Sequence, residues 1–294
     1  MSGAPGSEEG GLAAADEAHL SGFDRGFQLG DGVFETLRAR GGRSIELTAH
    51  LARLRRSAGG LDIALPDDLD ARLEGAIAAL LAADGLDGPA GDASVRITVS
   101  RGTVVGRGLL PAERVEPTIL VQAWPVQPPP IELLERGLRL IASSVRRDPE
   151  NPLAALKTTS RADYVYARLE ATRAGADDAL FLTVDGHLSE ATSANVVLVS
   201  GARLATPALG CAILPGTTRS WILAWAARVG LQPHEGFLTT RDLAEADEAF
   251  VCSSVAGILP VTSFEGRPIG SGRPGPWTRR AREDREAFIR GGAG

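Results

Sequence analysis

The sequence predicts an α+β fold built as two domains, and three observations carry that reading. At 294 residues the chain is long enough for one large domain or two of ordinary size. The stretch 126–131 holds three consecutive prolines, Pro128, Pro129 and Pro130, which cannot be regular structure, so the chain divides there. Strand and helix patterns mix without the strict βαβ rhythm of a doubly wound sheet. The division is a loose leader over 1–18, a smaller N-terminal α/β domain over 19–125, a linker over 126–132 and a larger C-terminal domain over 133–294.

Taken in order, the leader is rich in Gly, Ala, Ser, Asp and Glu and lacks periodicity, with room for a short helix at 12–19. Gly26, Gly30 and Gly32 then imply a turn with unusual backbone angles. Residues 33–38 alternate as a strand, Gly41 and Gly42 close a hairpin, and 44–47 return as its partner. In the helix that follows, Thr48 is the expected cap, and Leu51, Leu54 and Ala58 recur at helical spacing beside His50 and Arg53. A second amphipathic helix covers 71–83, and strands at 94–100 and 118–124 flank a Gly-rich loop over 101–111. Beyond the prolines, 138–144 reads as a strand and 162–174 as a helix ended by Gly175. Asp185-Gly186, set between apolar runs at 179–184 and 187–199, is the strongest hairpin signal in the chain. Ser193, Ala194 and Asn195 interrupt the second run. The segment 213–219 leads into a helix over 220–229 that Gly230 ends, and 242–246 is a short helix or turn. Strands at 248–252 and 258–263 enclose a turn of small residues, and a charged helix spans 274–290.

Bulk properties exclude several functions. The net charge of −6 and the lack of a basic stripe argue against nucleic acid as the main partner. Cys211 and Cys252 have neither metal-type spacing nor a disulfide framework, which suits a reducing cytoplasm. His19, His50, His187 and His234 do not pair at ligand spacings, so no metal site is expected. No apolar run reaches membrane length, and the N-terminus lacks a signal pattern.

Among 31 Lys and Arg residues only Lys157 is a lysine. So strong a bias toward Arg should fail only where a guanidinium cannot do the chemistry. An ε-amine can be deprotonated and made nucleophilic, and its distinctive reaction is imine formation with a carbonyl, including that of pyridoxal phosphate. Other residues could serve such a cofactor. Glu190 could pair with a protonated ring nitrogen. Thr217 and Thr218 lie where a Gly loop opens a helix and could hold a phosphate, with Ser253 and Ser254 as a second small-residue turn. Arg53 could add a charged fork. Each alone has an ordinary reading: Glu190 as a solvated strand residue, the loops as helix and turn caps, Arg53 as a surface charge. Their joint occurrence with the sole lysine is what points to a site.

Together these segments resemble the class IV (fold type IV) pyridoxal-phosphate aminotransferases, a family that includes D-amino acid aminotransferases, branched-chain aminotransferases and aminodeoxychorismate lyase. The resemblance runs from Asp24 to about Phe288. Its carriers are DRGFQLGDGVFET, HLARL, SRGTVVGRG, LKTTSR, GADDALFLTVDGHLSEATSANVVLV, LPGTTR, SSVAGILPV and GPWTRR. It implies two α/β domains with pyridoxal 5'-phosphate at the domain interface, and a homodimer in which N-terminal loops complete the neighbour's site. Lys157 becomes the Schiff-base lysine and proton shuttle, and Glu190 the partner of the pyridine nitrogen. Arg53, Thr217, Thr218, Ser253 and Ser254 become the phosphate cup. Asn195 shapes the loop after Glu190, and Arg161 lies near the ring hydroxyl. The partners implied are an amino donor and a keto acid.

Within the family, DRGFQLGDG with a later RGT and Arg reads closest to the D-amino acid enzymes, with Phe34 and Arg107 in the carboxylate-binding region. Two departures stand out. Leu109 occupies the position where some D-amino acid enzymes carry a histidine and the lyase a tyrosine, which would open the site to (R)-amines. The strand pair usual before the DRG motif is replaced by the polar leader. The expectation is therefore a transaminase for D-amino acids. Aminodeoxychorismate lyase, to which Gly106-Arg107-Gly108 and Arg161 also point, is the alternative. A branched-chain L-aminotransferase comes third, and a non-catalytic pyridoxal-phosphate-binding protein is the reading from another class.

Overall fold

A computed structural model describes residues 11–106, 108–110 and 115–291. They fall into two compact units, Met1–Val126 with Leu156–Arg161, and Gln127–Ala155 with Ala162–Gly294. No helix among the described residues is long and apolar enough to cross a membrane.

In the first unit the described part of the leader forms only a turn in the stretch with room for a helix at 12–19, since its small polar residues bury little. The glycine cluster frames a helix, α1 (Arg25–Leu29). Asp24 caps it by accepting from the Gly26 N–H, and Gly30 ends it at a left-handed φ of 65°. Strand β1 (Gly32–Arg40) turns through Gly41 and Gly42 into β2 (Arg43–Ser44). Helix α2 (Leu47–Gly59) starts one residue before the expected cap: Glu46, at φ 54°, is the N-cap and Thr48 lies inside the first turn. Helix α3 (Leu69–Ala83) and strands β3 (Asp92–Ser100) and β4 (Thr118–Pro125) complete an antiparallel sheet of order β2-β1-β3-β4. Strand parity sets its core. Val33, Leu37 and Ala39 of β1 and Val95, Ile97 and Val99 of β3 face Leu51, Leu54 and Ala58 of α2 and Leu69, Leu73 and Ile77 of α3.

The lysine stretch belongs to this unit although the chain on both sides of it belongs to the other. It runs along the edge of β1 not taken by β3: Thr158 bridges Val33, the Phe34 N–H donates to Lys157 O at 2.9 Å, and the Thr159 N–H donates to Gly32 O at 2.8 Å. Backbone hydrogen bonds, not side-chain packing, therefore fix where the lysine starts.

The second unit begins with a helix that the linker concealed, α4 (Ile131–Arg136), which Pro130 precedes as N-cap. There follow β5 (Leu138–Arg147), α5 (Ala162–Arg173), β6 (Asp178–Thr183), β7 (Leu188–Ala191), β8 (Asn195–Ser200) and β9 (Arg203–Pro207). Next come α6 (Thr217–Arg228), β10 (Gln232–Gly236), α7 (Thr240–Glu245), β11 (Glu248–Ser253), β12 (Gly257–Phe264), β13 (Arg267–Pro268) and α8 (Pro276–Ile289). Helix α6 starts at Thr217 rather than at 220, with Gly216 as its N-cap. The sheet order is β10-β9-β8-β11-β12-β5-β6-β7, and a further pairing of β7 with β8 closes six of these strands into a ring.

Alternation along the ring strands makes two cores. Val196 and Leu198 of β8 and Ala249 and Val251 of β11 join Leu140, Leu180 and Leu188. Val197, Val199, Phe250 and Cys252, one residue out of phase, meet Trp221, Ile222 and Trp225 of α6 and Ala281 of α8. Helix α8 is docked by a buried carboxylate: Glu248 accepts from the Trp277 N–H at 3.0 Å, the Thr278 N–H at 2.8 Å and Thr278 Oγ1 at 2.7 Å. An anion there satisfies first-turn donors and complements the helix dipole.

Candidate active site

In the first unit the lysine is surrounded by an aromatic ring and two further cations. Lys157 is half-buried, and its Nζ lies 4.6 Å from the centroid of the Phe34 ring. Register places Phe34 of β1 opposite Thr98 of β3, so Arg96 points to the same side of the sheet and its guanidinium stacks 3.9 Å from the ring centroid. Arg161, from the lysine stretch, lies 5.7 Å from the same centroid. Burial weakens the protonated form of Arg96, and the charge of Arg161 weakens it further. Two like charges beside one aromatic ring, next to an amine, are groups suited to anions.

Arg53 lies on the other face of the same sheet. It is buried, and its Nε and Nη2 donate to Glu35 Oε1 and Oε2, both at 2.7 Å. His50, one helical turn before it, places Nδ1 2.7 Å from Glu35 Oε2. Burial by itself would raise the Glu35 pKa, but the hydrogen bonds and charges of Arg53 and His50 outweigh it and pull the value down to about 2. The triad thus holds Arg53 in one orientation. One turn further along α2, Ser57 accepts the Lys157 N–H at 3.1 Å, so the same helix that carries Arg53 also anchors the lysine backbone.

Of the expected substrate residues, Phe34 is beside Lys157, whereas Arg107 lies outside the described residues. Leu109 is exposed, and its loop is held by Arg25, which donates to Gly108 O at 2.9 Å and Leu109 O at 2.8 Å while pairing with Asp31 at 2.8 Å. Asp24 secures the other side of that motif, accepting from Ser100 Oγ and Thr118 Oγ1. The DRG motif is a strut for the 101–110 loop.

In the second unit Glu190 and Asn195 are the residue pair that closes the strand ring. Glu190 is buried and accepts from the Leu214 N–H at 2.9 Å, the Tyr164 hydroxyl at 3.3 Å and Asn195 Nδ2 at 3.4 Å. Arg147 Nη2 stands 4.0 Å from Glu190 Oε1, steadied by Asp163 at 2.9 Å and stacked over Tyr164. Asn195 also donates to Leu214 O at 3.0 Å, which ties the ring closure to the loop that opens α6. A Cβ on Gly216 would overlap Asn195 Oδ1, so that loop needs glycine.

Thr217 and Thr218 are the first two residues of α6, where the Gly216 cap offers no side-chain hydrogen bond to the first turn. Thr217 Oγ1 lies 3.2 Å from Ser254 Oγ, and Ser253 ends β11 just before it, so the two predicted turns meet. Beneath them, buried Arg285 of α8 donates to Thr218 Oγ1 at 3.4 Å. A helix N-terminus, hydroxyls and a cation nearby make a built receptor for a phosphate.

Taken unit by unit, the groups are of the kinds pyridoxal phosphate calls for: in the first unit an amine suited to the aldehyde, in the second a buried carboxylate suited to the ring nitrogen and anion donors suited to the phosphate. Glu35, His50, Arg96, Arg147, Tyr164 and Arg285 were not singled out from sequence. One signal existed for Glu35, a charged residue at the same strand parity as core Val33 and Leu37. His50 and Arg53 on the facing helix were its available partners.

Comparison with known proteins agrees with that chemistry. A family model described as amino-transferase class IV matches residues 32–264. The chain is similar to a putative branched-chain-amino-acid aminotransferase of Methanocaldococcus jannaschii, 36% identical over 268 residues that cover 91% of this chain and 90% of that one. It is also similar to a D-alanine aminotransferase of Bacillus licheniformis, 31% identical over 264 residues covering 87% of each. Among solved structures, a branched-chain amino acid aminotransferase of T.th. complexed with N-(5'-phosphopyridoxyl)-L-glutamate superposes with a TM-score of 0.87 at 27% identity, covering 96% of this chain and 92% of that one.

Proposed function

The chain belongs to the class IV aminotransferases, which use pyridoxal 5'-phosphate, and on that premise we propose that it moves an amino group between a D-amino acid and a 2-keto acid. The observation that carries the acid part of this reading is the pair Arg96 and Arg161 about Phe34, next to Lys157 Nζ. An amino acid and a keto acid both bring a carboxylate to such a wall. A simple (R)-amine brings none, and is expected to be the poorer donor. The D hand is supported by the resemblance of the DRGFQLGDG segment to D-amino acid enzymes and by the overall similarity to the B. licheniformis D-alanine aminotransferase.

Bound pyridoxal phosphate supplies the electron sink that lets an α-proton leave. Lys157 Nζ would hold the cofactor aldehyde as an imine and, once the substrate's amino group has displaced it, would be the free amine that takes the α-proton and delivers it to the cofactor carbon on the far side of the imine nitrogen. Glu190 would accept a hydrogen bond from the protonated ring nitrogen of the bound cofactor. Its bonds from Leu214, Tyr164 and Asn195 hold the carboxylate in place for that contact. Thr217, Thr218, Ser253, Ser254 and Arg53 would hold the phosphate, and Arg161 would serve the ring hydroxyl or the substrate. Phe34 walls the substrate side, with Arg107 and Leu109 contributed by the tethered loop. In this reading the enzyme is a cytoplasmic homodimer. Exposed Phe27, Val105 and Leu110 in the first unit support the second copy.

One observation favours a second reading. Two guanidiniums on one ring also suit a substrate with two carboxylates, and aminodeoxychorismate is such a molecule, so the lyase reaction is the alternative. The test is a half-reaction on purified holoenzyme, following the cofactor spectrum with D-alanine, D-glutamate and L-leucine in turn, and pyruvate release from aminodeoxychorismate. Spectral conversion by the D-amino acids alone supports the proposal. Conversion by L-leucine alone moves the enzyme to the branched-chain group, and pyruvate release without any conversion makes it the lyase.

A further inference from the structure

We propose that the second unit carries an anion-binding site separate from every residue placed in the cofactor and substrate machinery. It lies where α4, β12 and the start of α8 enclose a cavity of about 270 Å³. Its wall is apolar, from Leu134, Pro260 and Pro274, and three guanidiniums, Arg273, Arg279 and Arg282, open onto it.

Three features mark these arginines as a cluster. Some arginines on the outside of this molecule are paired, as Arg55 is with Asp70, Arg72 with Asp68, Arg136 with Asp177 and Arg241 with Glu245, and others such as Arg56, Arg228 and Arg267 are not, among the described residues; here three without an acidic partner line one cavity. Among the described residues, Arg273 and Arg282 have no acidic partner, and Arg279 donates only to the neutral Pro274 carbonyl. Glu135 also lines the cavity, yet it forms an ion pair with none of the three. This concentration of unneutralised cations occurs in a chain whose 37 acidic residues outnumber its 31 basic ones. Arg279 also stands near the N-terminal end of α8, where a cation opposes the helix dipole and an acid would be favoured. Charge placed against local preference at a concave, partly apolar spot is the pattern of a binding site.

The chemistry of the walls defines the occupant. Guanidinium forks match phosphate and carboxylate groups in bidentate geometry. The Leu134, Pro260 and Pro274 surface takes a hydrocarbon body, and the volume limits it to a small one. The site therefore receives a small organic anion, an aryl or short alkyl group bearing a phosphate or carboxylate head.

Isothermal titration of the holoenzyme with phenyl phosphate, benzoate and inorganic phosphate tests this. Either organic anion is expected to bind saturably with Kd below about 1 mM, and more tightly than inorganic phosphate, because only the organic anions use the apolar wall. Tighter phenyl phosphate assigns a phosphate head and tighter benzoate a carboxylate head, and both support the site. The double variant R279S/R282S, and separately Arg273→Ser, should weaken binding by at least about tenfold, the loss expected for a charge-assisted hydrogen bond. Both should keep the cofactor absorption and the turnover of the parent. The proposal is overturned by no saturable binding up to about 10 mM, by equal affinity for inorganic phosphate and the organic anions, or by affinities that survive in both variants.

Discussion

Replacing Glu35 by Gln keeps the shape of the buried triad and removes its only negative charge. The energy at stake follows from the carboxyl itself, whose pKa falls from 4.5 to about 2 on folding. That difference of roughly 2.5 pKa units, at about 1.36 kcal/mol each, is a stabilisation on the order of 3 kcal/mol. Because the folded value lies below the unfolded one, the contribution is complete above about pH 4.5 and is lost as pH falls through about 2. At pH 7 the variant should therefore melt roughly 6–12 °C lower, at the 2–4 °C per kcal/mol typical of larger domains. The gap should shrink to less than half by about pH 3, where the native carboxyl has given up most of its advantage. Scanning calorimetry at the two pH values measures both quantities, and titration of the apoenzyme with pyridoxal phosphate should show weaker binding as Arg53 loses its anchor. Melting within about 2 °C of the parent at pH 7, or a gap that does not depend on pH, would refute the reasoning. A triple replacement of Glu35, His50 and Arg53 by leucine gives an internal control. It leaves no buried charge unpaired, so it should recover much of the stability while binding the cofactor phosphate worse than either.

Three further outcomes are expected. Lys157→Ala should remove the absorption band of lysine-bound cofactor and cut transamination by at least about a hundredfold, the lower range for a general base; retained turnover would sink the proposed site. Gly216→Ala should lower phosphate affinity and melting temperature together, since the added Cβ meets Asn195 Oδ1 at the loop that opens α6; an unchanged cofactor dissociation constant would show that the loop can give way. Arg147→Met should reduce kcat by about tenfold with the cofactor still bound, because the cation 4.0 Å from Glu190, stacked over Tyr164, no longer helps hold that carboxylate in place. Partial recovery in Arg147→Lys would separate charge from packing, and parental kcat in Arg147→Met would remove Arg147 from the positioning of Glu190.

Much of the fold was readable because periodicity and burial agree. Strand β3 alternates and buries alternate residues, β1 is buried along most of its length, and α2 and α3 carry apolar residues at helical spacing that meet them. The interruption at Ser193 to Asn195 became the tight return between β7 and β8. Short elements without a buried face were not readable. Helix α1 has five residues between glycines, and β10 reads QPHEG, an edge strand with hardly a buried side chain. The α2 cap failed for a different reason: the preference for Thr is local, and β2 delivers the chain at Glu46 with a left-handed backbone that makes Leu47 the first helical residue.

The candidate site was readable where the chemistry demands a rare residue type, as at the single lysine, or a turn at a helix start, as at Thr217. It was unreadable where function depends on juxtaposition. Arg96 meets Phe34 through the pairing of β1 with β3, and Arg147 meets Glu190 through the packing of β5 on β6, and no spacing in one dimension encodes either.

The lysine stretch has a consequence for how the protein comes into being. The strand edge that receives it, in β1, is made before it, and the stretch leaves the ribosome only after the first unit's own sheet and the beginning of the next have emerged. Closing that distant pairing is an entropically costly, late event. Until it closes, the amine hangs on an unstructured chain, with neither its aromatic neighbour nor its guanidinium wall. The reactive group is thus armed by the last stitch of one unit, and a nascent chain released early would carry the lysine without its chemistry.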